Sequence, residues 1–400
     1  MRPKGIMNVT ISPTILKAMR EHKHIPEEVA ATRLKISLDD YRAFESSEHE
    51  VSIAEANKIA GIYKRNWTLF LLKKAPGIPN FGQDNRTANN KKTALGYLTF
   101  EAVEEAKYTL DFIVSSAEDT TNNIPQFDRA SDPEVMAEKF REAIGVPADT
   151  NEKMPDAATT LNFWIERLGQ IGINVSNYKL GEDDKVRAFS LFNQFKATIV
   201  LNSEETDKGK LFSLMHELGH ILIRNTGVCD LSRDSIESFC NKFASHLLIP
   251  TARFIELVQK YKVEDANADA TSTSIARSLK VSKLAVLTRM LENDFIGSKC
   301  YDTLATEEYR IFNIRKQMLK KGREAKKTKP VINPYVVRKA RIGSLFLNEI
   351  FDAYHQTRIT PYEATRYLGF KNAGIVGKFD QWVGSQKDKN GPATRPSPRS

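Results

Sequence analysis

Two histidines and a glutamate near the middle of the chain have the types and spacing needed for metal chemistry. His216, Glu217 and His220 occur in the sequence His-Glu-Leu-Gly-His. On a helix, residues four apart project from one face, one turn from each other. Two imidazoles in this arrangement can bind one zinc ion, and the intervening glutamate can serve as a general base. The spacing therefore predicts metal-assisted hydrolysis.

A catalytic zinc site needs a third protein ligand, and a second helix downstream offers one. This helix is predicted to start after Asp234 or Ser235, either of which suits an N-cap. Glu237 lies off its apolar face, and Asn241 follows one turn later. We predict that Glu237 binds the metal and that Asn241 hydrogen-bonds the second nitrogen of one histidine. Two neutral imidazoles and one carboxylate leave one position open for water.

The predicted reaction is hydrolysis of a peptide bond. Zinc lowers the pKa of its bound water from about 15.7 to about 7. Glu217 would take the proton of that water as general base and return it to the leaving amine. We therefore expect Zn²⁺ as the cofactor and Glu217 as the catalytic residue.

The two helices that must position these residues show apolar stripes at steps of three and four residues. Three strands are predicted upstream, over residues 172–175, 187–192 and 198–202. An exposed edge strand of that sheet could pair with an extended substrate, and a purely structural sheet is the alternative. The stripes consist of Leu211, Leu214, Met215, Leu218 and Leu222 on the first helix and Ile236, Phe239, Cys240, Phe243 and Leu247 on the second.

The same residues resemble the ImmA/IrrE family of bacterial metallopeptidases. The block Glu-Ser-Phe-Cys-Asn-Lys-Phe-Ala-Ser-His-Leu-Leu-Ile-Pro at 237–250 is similar to that family's Glu-x-x-Ala-Asn-x-Phe-Ala-x-x-Leu-Leu-Met-Pro, and the strand-like segments 189–192 and 199–202 share the likeness. Cys240 stands where the family usually has alanine, and His246 where a carboxylate is common. The resemblance implies a zinc endopeptidase whose protein substrate is a transcriptional repressor or an antitoxin.

Other interpretations of these residues remain open at the level of sequence. The His-Glu-Leu-Gly-His helix is also compatible with two solvated histidines that bind nothing. Cys229 could be a fourth ligand, a redox switch or an ordinary loop residue, and His246 is an alternative ligand. The protein could also be a DNA-binding regulator whose peptidase fold is a sensing or docking module, or a toxin restrained by an antitoxin.

Composition restricts the class of protein. A chain of 400 residues with 41% hydrophobic residues is long enough for two or three domains. Three cysteines at uneven spacing give no disulfide framework, which fits a reducing cytoplasm. The sequence shows no signal peptide and no run of eighteen apolar residues. We therefore expect a cytoplasmic protein without a membrane segment. Residues 301–400 hold 20 basic and 9 acidic residues, a net charge of +11, which favours this region for any contact with DNA.

The predicted fold class is α+β and predominantly helical. An N-terminal helix-turn-helix bundle is followed by a zincin-like metallopeptidase domain with a small β-sheet and by a helical C-terminal region. The N-terminal part resembles the helix-turn-helix domain of phage-repressor-like (XRE-type) regulators. The predicted divisions are a helix-turn-helix domain at 1–75, a linker at 76–96, a helical connector at 97–150, the metallopeptidase domain at 151–298, a basic linker at 299–330, a helical element at 331–385 and a disordered tail at 386–400.

The helix predicted to follow the N-terminal turn has an unusual charge for a DNA-reading element. Ser37 would cap it, and Asp39, Asp40 and Glu45 oppose the single Arg42. A helix of net negative charge is repelled by phosphates. Ser37 and Arg42 are the candidate DNA contacts, and docking of another protein or formation of a homodimer is the alternative role.

Overall fold

The computed structural model describes residues 8–63, 65, 67–72, 96–116, 123–128, 130–181, 186–193, 195–224, 233–325, 333–370 and 372–390. The chain divides into two compact units. The first comprises Met1–Glu105 and Lys179–Val186, and the second comprises Ala106–Tyr178 and Arg187–Ser400.

The first unit is a small, mainly helical domain around one apolar core. Ser37 accepts a hydrogen bond from the backbone N–H of Asp40 and so caps the predicted helix. The preceding helix ends at Lys35, whose backbone has the left-handed conformation. A two-stranded antiparallel ribbon, which the sequence analysis did not predict, flanks these helices. The elements are β1 (Asn8–Ile11), α1 (Pro13–His22), α2 (Glu27–Leu34), α3 (Leu38–Ser46), β2 (His49–Ser52), α4 (Ile53–Ile62) and a 3-10 helix (Trp67–Leu71).

The following helix, α5 (Tyr97–Ser116), belongs to the first unit up to Glu105 and to the second from Ala106. The linker predicted at 76–96 lies, apart from its last residue, outside the described residues.

The second unit contains a three-stranded sheet within a predominantly helical fold. Its strand order is β3-β5-β4, with β3 parallel and β4 antiparallel to the central β5. The three strands confirm those predicted from the sequence: each start shifts by one residue, β3 ends three residues later, and β4 and β5 end as predicted. The elements up to the candidate site are α6 (Pro133–Ala143), α7 (Thr150–Lys153), α8 (Ala157–Gln170), β3 (Ile173–Tyr178), β4 (Ala188–Phe192), β5 (Ala197–Asn202), α9 (Asp207–Leu222) and α10 (Arg233–Leu248).

After α10, the described elements of the second unit are all helical. The pair α12 and α13 buries its apolar residues in the same core as α9 and α10. The elements are α11 (Thr251–Tyr261), a 3-10 helix (Asp265–Asn267), α12 (Ala268–Leu279), α13 (Lys283–Glu292), α14 (Ser298–Ala325), α15 (Pro334–Ile342), α16 (Ser344–His355), α17 (Pro361–Tyr367) and α18 (Gly374–Asn390).

The C-terminal helices pack onto one edge of this sheet. Asn174 of β3 is buried; it donates a hydrogen bond to the carbonyl of Ile342 and accepts one from the N–H of Phe346. Gly343, between these partners, has φ of +88°, and a Cβ there would lie 2.3 Å from the Asn174 side-chain oxygen. Only glycine therefore fits this close approach. β3 is therefore contacted by the ends of α15 and α16 that meet at Gly343, whereas β4 pairs only with β5 among the described strands.

Three predicted element boundaries need correction. Residues 298–325 form the single helix α14 where a basic linker was predicted from 299, because lysine, arginine, glutamate and leucine all favour helix and no proline interrupts them. Helix α18 runs to Asn390 and so includes the first five residues of the predicted disordered tail. Helix α10 begins at Arg233, which puts the predicted capping residues inside its first turn. In the described part of the chain, no helix is both long and apolar enough to cross a membrane.

Candidate metal centre

Helix α9 presents its polar residues on one face because its apolar residues are held in the core. Thr206 caps the helix by accepting a hydrogen bond from the N–H of Gly209. The predicted stripe is confirmed, since Leu211, Leu214 and Leu218 are fully buried. His216, Glu217 and His220 are partly buried and lie on the remaining face. Packing of the stripe therefore fixes the direction in which the two imidazoles point.

Helix α10 packs closely against α9 at a glycine. A Cβ on Gly219 would lie 3.1 Å from a ring carbon of Phe243 and 3.3 Å from the sulfur of Cys240. Both neighbours are fully buried, so the cysteine at 240 is a packing residue. The absence of a side chain at Gly219 lets the two helices approach, and this brings Glu237 to the histidines.

Three potential ligand atoms converge between the helices. Nε2 of His216 lies 3.2 Å from Nε2 of His220 and 3.2 Å from Oε2 of Glu237. Nε2 of His220 lies 3.6 Å from Oε1 of Glu237. Ligands that surround zinc tetrahedrally at about 2.0–2.2 Å stand roughly 3.3–3.6 Å from one another. The three side chains therefore fit a zinc ion, and they form the one His, Cys, Asp and Glu cluster of this kind within the described residues.

Asn241 fixes which nitrogen of His216 is free to bind. Its side-chain oxygen lies 2.9 Å from Nδ1 of His216 and can only accept a hydrogen bond, so in the neutral ring Nδ1 carries the proton and Nε2 has the lone pair that a metal needs. When the ring is protonated, Nε2 donates instead to Glu237. This is the contact predicted for Asn241 from the sequence.

The two histidines differ in their electrostatic surroundings. Burial lowers the pKa of His220 and favours the neutral ring that a metal requires. Burial acts in the same direction on His216, but the hydrogen bond to Glu237 and the charges of Glu217 and Glu237 outweigh it and raise the pKa of His216 above its ordinary value.

Glu217 is held by a residue that the sequence analysis did not identify. The hydroxyl of Ser190 donates a hydrogen bond of 2.8 Å to Oε2 of Glu217. Ser190 lies in β4, 27 residues earlier in the chain. The only sequence signal was its place in a predicted strand. A strand pattern shows which residues share a face of the sheet, but it does not show which helix packs against that face.

The other candidate residues lie elsewhere. His246, considered as an alternative ligand, is not part of the cluster: its ring lies 3.2 Å from Nη1 of Arg289 and 3.2 Å from the hydroxyl of Thr251. Its position near the end of α10 explains the difference, because nine residues of helix separate it from Glu237. Cys229 lies outside the described residues. Ser37 is engaged as a helix cap, and Arg42 donates a hydrogen bond of 2.8 Å to Glu27.

One comparison with known proteins concerns this region. A family model for peptidases of the M78 group, described as the IrrE N-terminal-like domain, matches residues 169–291. The match covers less than a third of the chain and runs from the end of α8 to α13, so it includes the sheet and both helices of the candidate centre. No curated protein matches the chain at a significant level.

Proposed function

We propose that this protein, whose residues 169–291 match the family model for IrrE-like peptidases, is a zinc-dependent endopeptidase that hydrolyses a peptide bond in a protein partner. The observation that carries the proposal is the convergence of His216, His220 and Glu237 on one point, with Glu217 on the same helix turn. Two neutral rings and one carboxylate leave net positive charge on a bound zinc ion and one position open, as catalytic sites require.

Each side chain has a separate task in this mechanism. A zinc ion bound here would supply Lewis acidity, lowering the pKa of a bound water to about 7. Glu217 accepts a proton from the attacking water and delivers it to the nitrogen of the leaving amine. His216, His220 and Glu237 hold the metal, and Asn241 keeps His216 in the tautomer that leaves Nε2 free.

The edge of the sheet supports a mode of substrate binding. Strand β4 pairs only with β5 among the described strands, and its Ser190 reaches Glu217. An extended peptide added to the other side of β4 would form main-chain hydrogen bonds and lie beside the proposed catalytic residue. We propose an unfolded or extended segment of a repressor or an antitoxin as the substrate, as the family resemblance implies.

The experiment that tests this function uses Glu217→Gln, which should keep zinc and lose hydrolysis. The full-length variant is purified with its bound partners, and the captured proteins are identified by mass spectrometry and incubated with the wild-type protein. We expect at least one captured protein to be cleaved by the wild type and not by Glu217→Gln. His216→Ala and Glu237→Ala should lower the zinc content measured by mass spectrometry, whereas His246→Ala, on the same helix as Glu237, should leave it unchanged.

Two results would count against the proposal. If Glu217→Gln cleaved the captured partner as fast as the wild type, Glu217 would not be the general base. If His216→Ala and Glu237→Ala each retained one zinc ion per chain, His216 and Glu237 would not be its ligands. A regulator that acts by binding alone would keep its biological effect in Glu217→Gln, which separates the enzyme from the alternative of a sensing or docking module.

A further inference from the structure

We propose that Ser190 is a positioning residue for the general base: its hydroxyl holds one oxygen of Glu217 so that the other faces the attacking water. The inference deepens the proposed peptidase function and rests on it. Nothing in the His-Glu-Leu-Gly-His sequence points to Ser190, since the contact joins a strand to a helix 27 residues later.

The strand places Ser190 rigidly. Ser190 pairs with Ile199 of β5, which is fully buried in the centre of the sheet. Side chains alternate along a strand, so Ser190 shares a face with Ala188 and Phe192, and both of these pack against the core that contains α9. The hydroxyl is thereby directed at α9 by a backbone that cannot turn without breaking the sheet.

The hydrogen bond divides the two oxygens of the carboxylate between two tasks. Oε2 of Glu217 accepts from Ser190 at 2.8 Å, and this is the one hydrogen bond of the Glu217 side chain to another described residue. A hydroxyl is a donor here and a carboxylate an acceptor, so the bond is charge-assisted and stronger than one between neutral groups. Oε1 has no such restraint and remains available to a water molecule beside His216 and His220.

Positioning matters because glutamate has three rotatable side-chain bonds. A general base must stay within hydrogen-bond reach of the proton that it takes, and a displacement of about 1 Å can cost on the order of 100-fold in rate. Without Ser190, Glu217 would populate other rotamers and meet the water less often. The loss should therefore affect kcat, while substrate binding and zinc binding stay intact.

The kinetic test compares Ser190→Ala, Ser190→Thr and a matched control, Ser176→Ala. Ser176 lies in β3 of the same sheet and is buried, but its hydroxyl contacts the carbonyl of Ile199 and not Glu217. The substrate is the protein captured by Glu217→Gln. We expect Ser190→Ala to lower kcat by about 10- to 100-fold, with KM and zinc content within about twofold of wild type. Ser190→Thr should restore most of kcat. Ser176→Ala should leave kcat unchanged.

The proposal is overturned if Ser190→Ala and Ser176→Ala have the same kcat, or if Ser190→Ala changes KM or zinc content instead. A structural role for Ser190 would lower stability without this pattern, and Ser190→Thr would then give no selective recovery of kcat.

A second measurement does not depend on catalysis. The midpoint of thermal unfolding is measured for the zinc-free wild type, Ser190→Ala, Glu217→Ala and the double variant. We expect Ser190→Ala to lower the midpoint in the wild-type background and to change it much less when Glu217 is already alanine. Equal shifts in both backgrounds would mean that the two side chains do not interact. If the wild type cleaves no captured protein but the shifts are unequal, the peptidase function fails while the contact stands.

Discussion

At the scale of single residues, the candidate site combines side chains from one turn of α9 with side chains from α10 and β4. His216, Glu217 and His220 are fixed relative to one another by one turn of helix, so their spacing was sufficient. Glu237 required the further assumption that a second helix packs beside the first. Ser190 could not be found in this way, because the register of a sheet against a helix depends on tertiary packing.

The surroundings of His246 also depend on tertiary packing. As a histidine on the same helix as Glu237, it was a reasonable alternative ligand. Its position nine residues further along the helix instead gives it a different set of neighbours. The charged groups around it are Arg289 of α13, Glu134 and Asp132 at the start of α6, and Lys242 on its own helix. Burial, together with the nearby positive charge of Arg289, lowers the pKa of His246 to about 4.

This shift predicts a specific acid sensitivity. A histidine whose pKa is lower in the folded than in the unfolded state binds more protons in the unfolded state between those two pKa values. Protonation therefore favours unfolding, so the free energy of unfolding falls as the pH decreases from about 6.5 towards about 4. We expect His246→Gln to reduce this fall, measured as the free energy of unfolding by denaturant titration at several pH values. Thr251→Ala, which removes a neighbour of His246 without removing a titratable group, should keep the wild-type pH dependence. An unchanged slope in His246→Gln would show that His246 does not titrate in this range.

At the scale of secondary structure, the site depends on how closely α9 and α10 approach. Gly219 provides the contact, with Phe243 and Cys240 as its neighbours. The Cys240 that departs from the family's usual alanine is accommodated here, because its sulfur occupies the space beside the glycine. The separation of the two helices sets the distance between Glu237 and the histidines.

A side chain at Gly219 should therefore weaken zinc binding. Gly219→Val would force its neighbours apart at a point where a Cβ already lies 3.1 Å from Phe243, and overpacking of this kind costs about 1–3 kcal/mol of stability. We expect lower zinc affinity in a chelator competition, with the helical signal in circular dichroism retained. Gly169→Val is the matched control, since a Cβ on this helical glycine of α8 meets no atom within 4 Å. Equal zinc affinities for the two variants would mean that helix separation does not control the site.

The strands and helices of the second unit were largely predictable because each carries its own hydrophobic period. The three strands have short apolar runs bounded by polar turns, and α9 has a clear apolar stripe. The basic segment after residue 298 was mistaken for a linker, since its many charges suggested a solvated chain. Lysine and arginine are nevertheless good helix formers, and the run contains no proline until Pro330.

For the molecule as a whole, charge is the feature that bears on partners. Residues 301–400 carry a net charge of +11, and within them the segment 310–325 holds six basic residues against one acidic residue. Exposed apolar side chains occur in the same region of α14, since Tyr309, Phe312 and Met318 are all more than half exposed. The N-terminal helix α3, by contrast, has its Arg42 paired with Glu27 and exposes Asp39 and Asp40.

This distribution predicts where any affinity for DNA lies. We expect the full-length protein to bind duplex DNA weakly and without sequence preference through its basic C-terminal region, because phosphate contacts supply such binding. The variant Lys320→Glu, Lys321→Glu, Arg323→Glu should reduce this affinity and lessen its dependence on salt, by about 0.9 in the logarithmic slope for each lost phosphate contact. Fluorescence anisotropy with a labelled duplex at several salt concentrations measures both quantities.

Arg42→Ala should have little effect on this affinity, because the Arg42 guanidinium already donates to Glu27. If Arg42→Ala abolished binding and the triple variant did not, the N-terminal helices would be the DNA-reading element, and the negative charge of α3 would have been a poor guide to its partner.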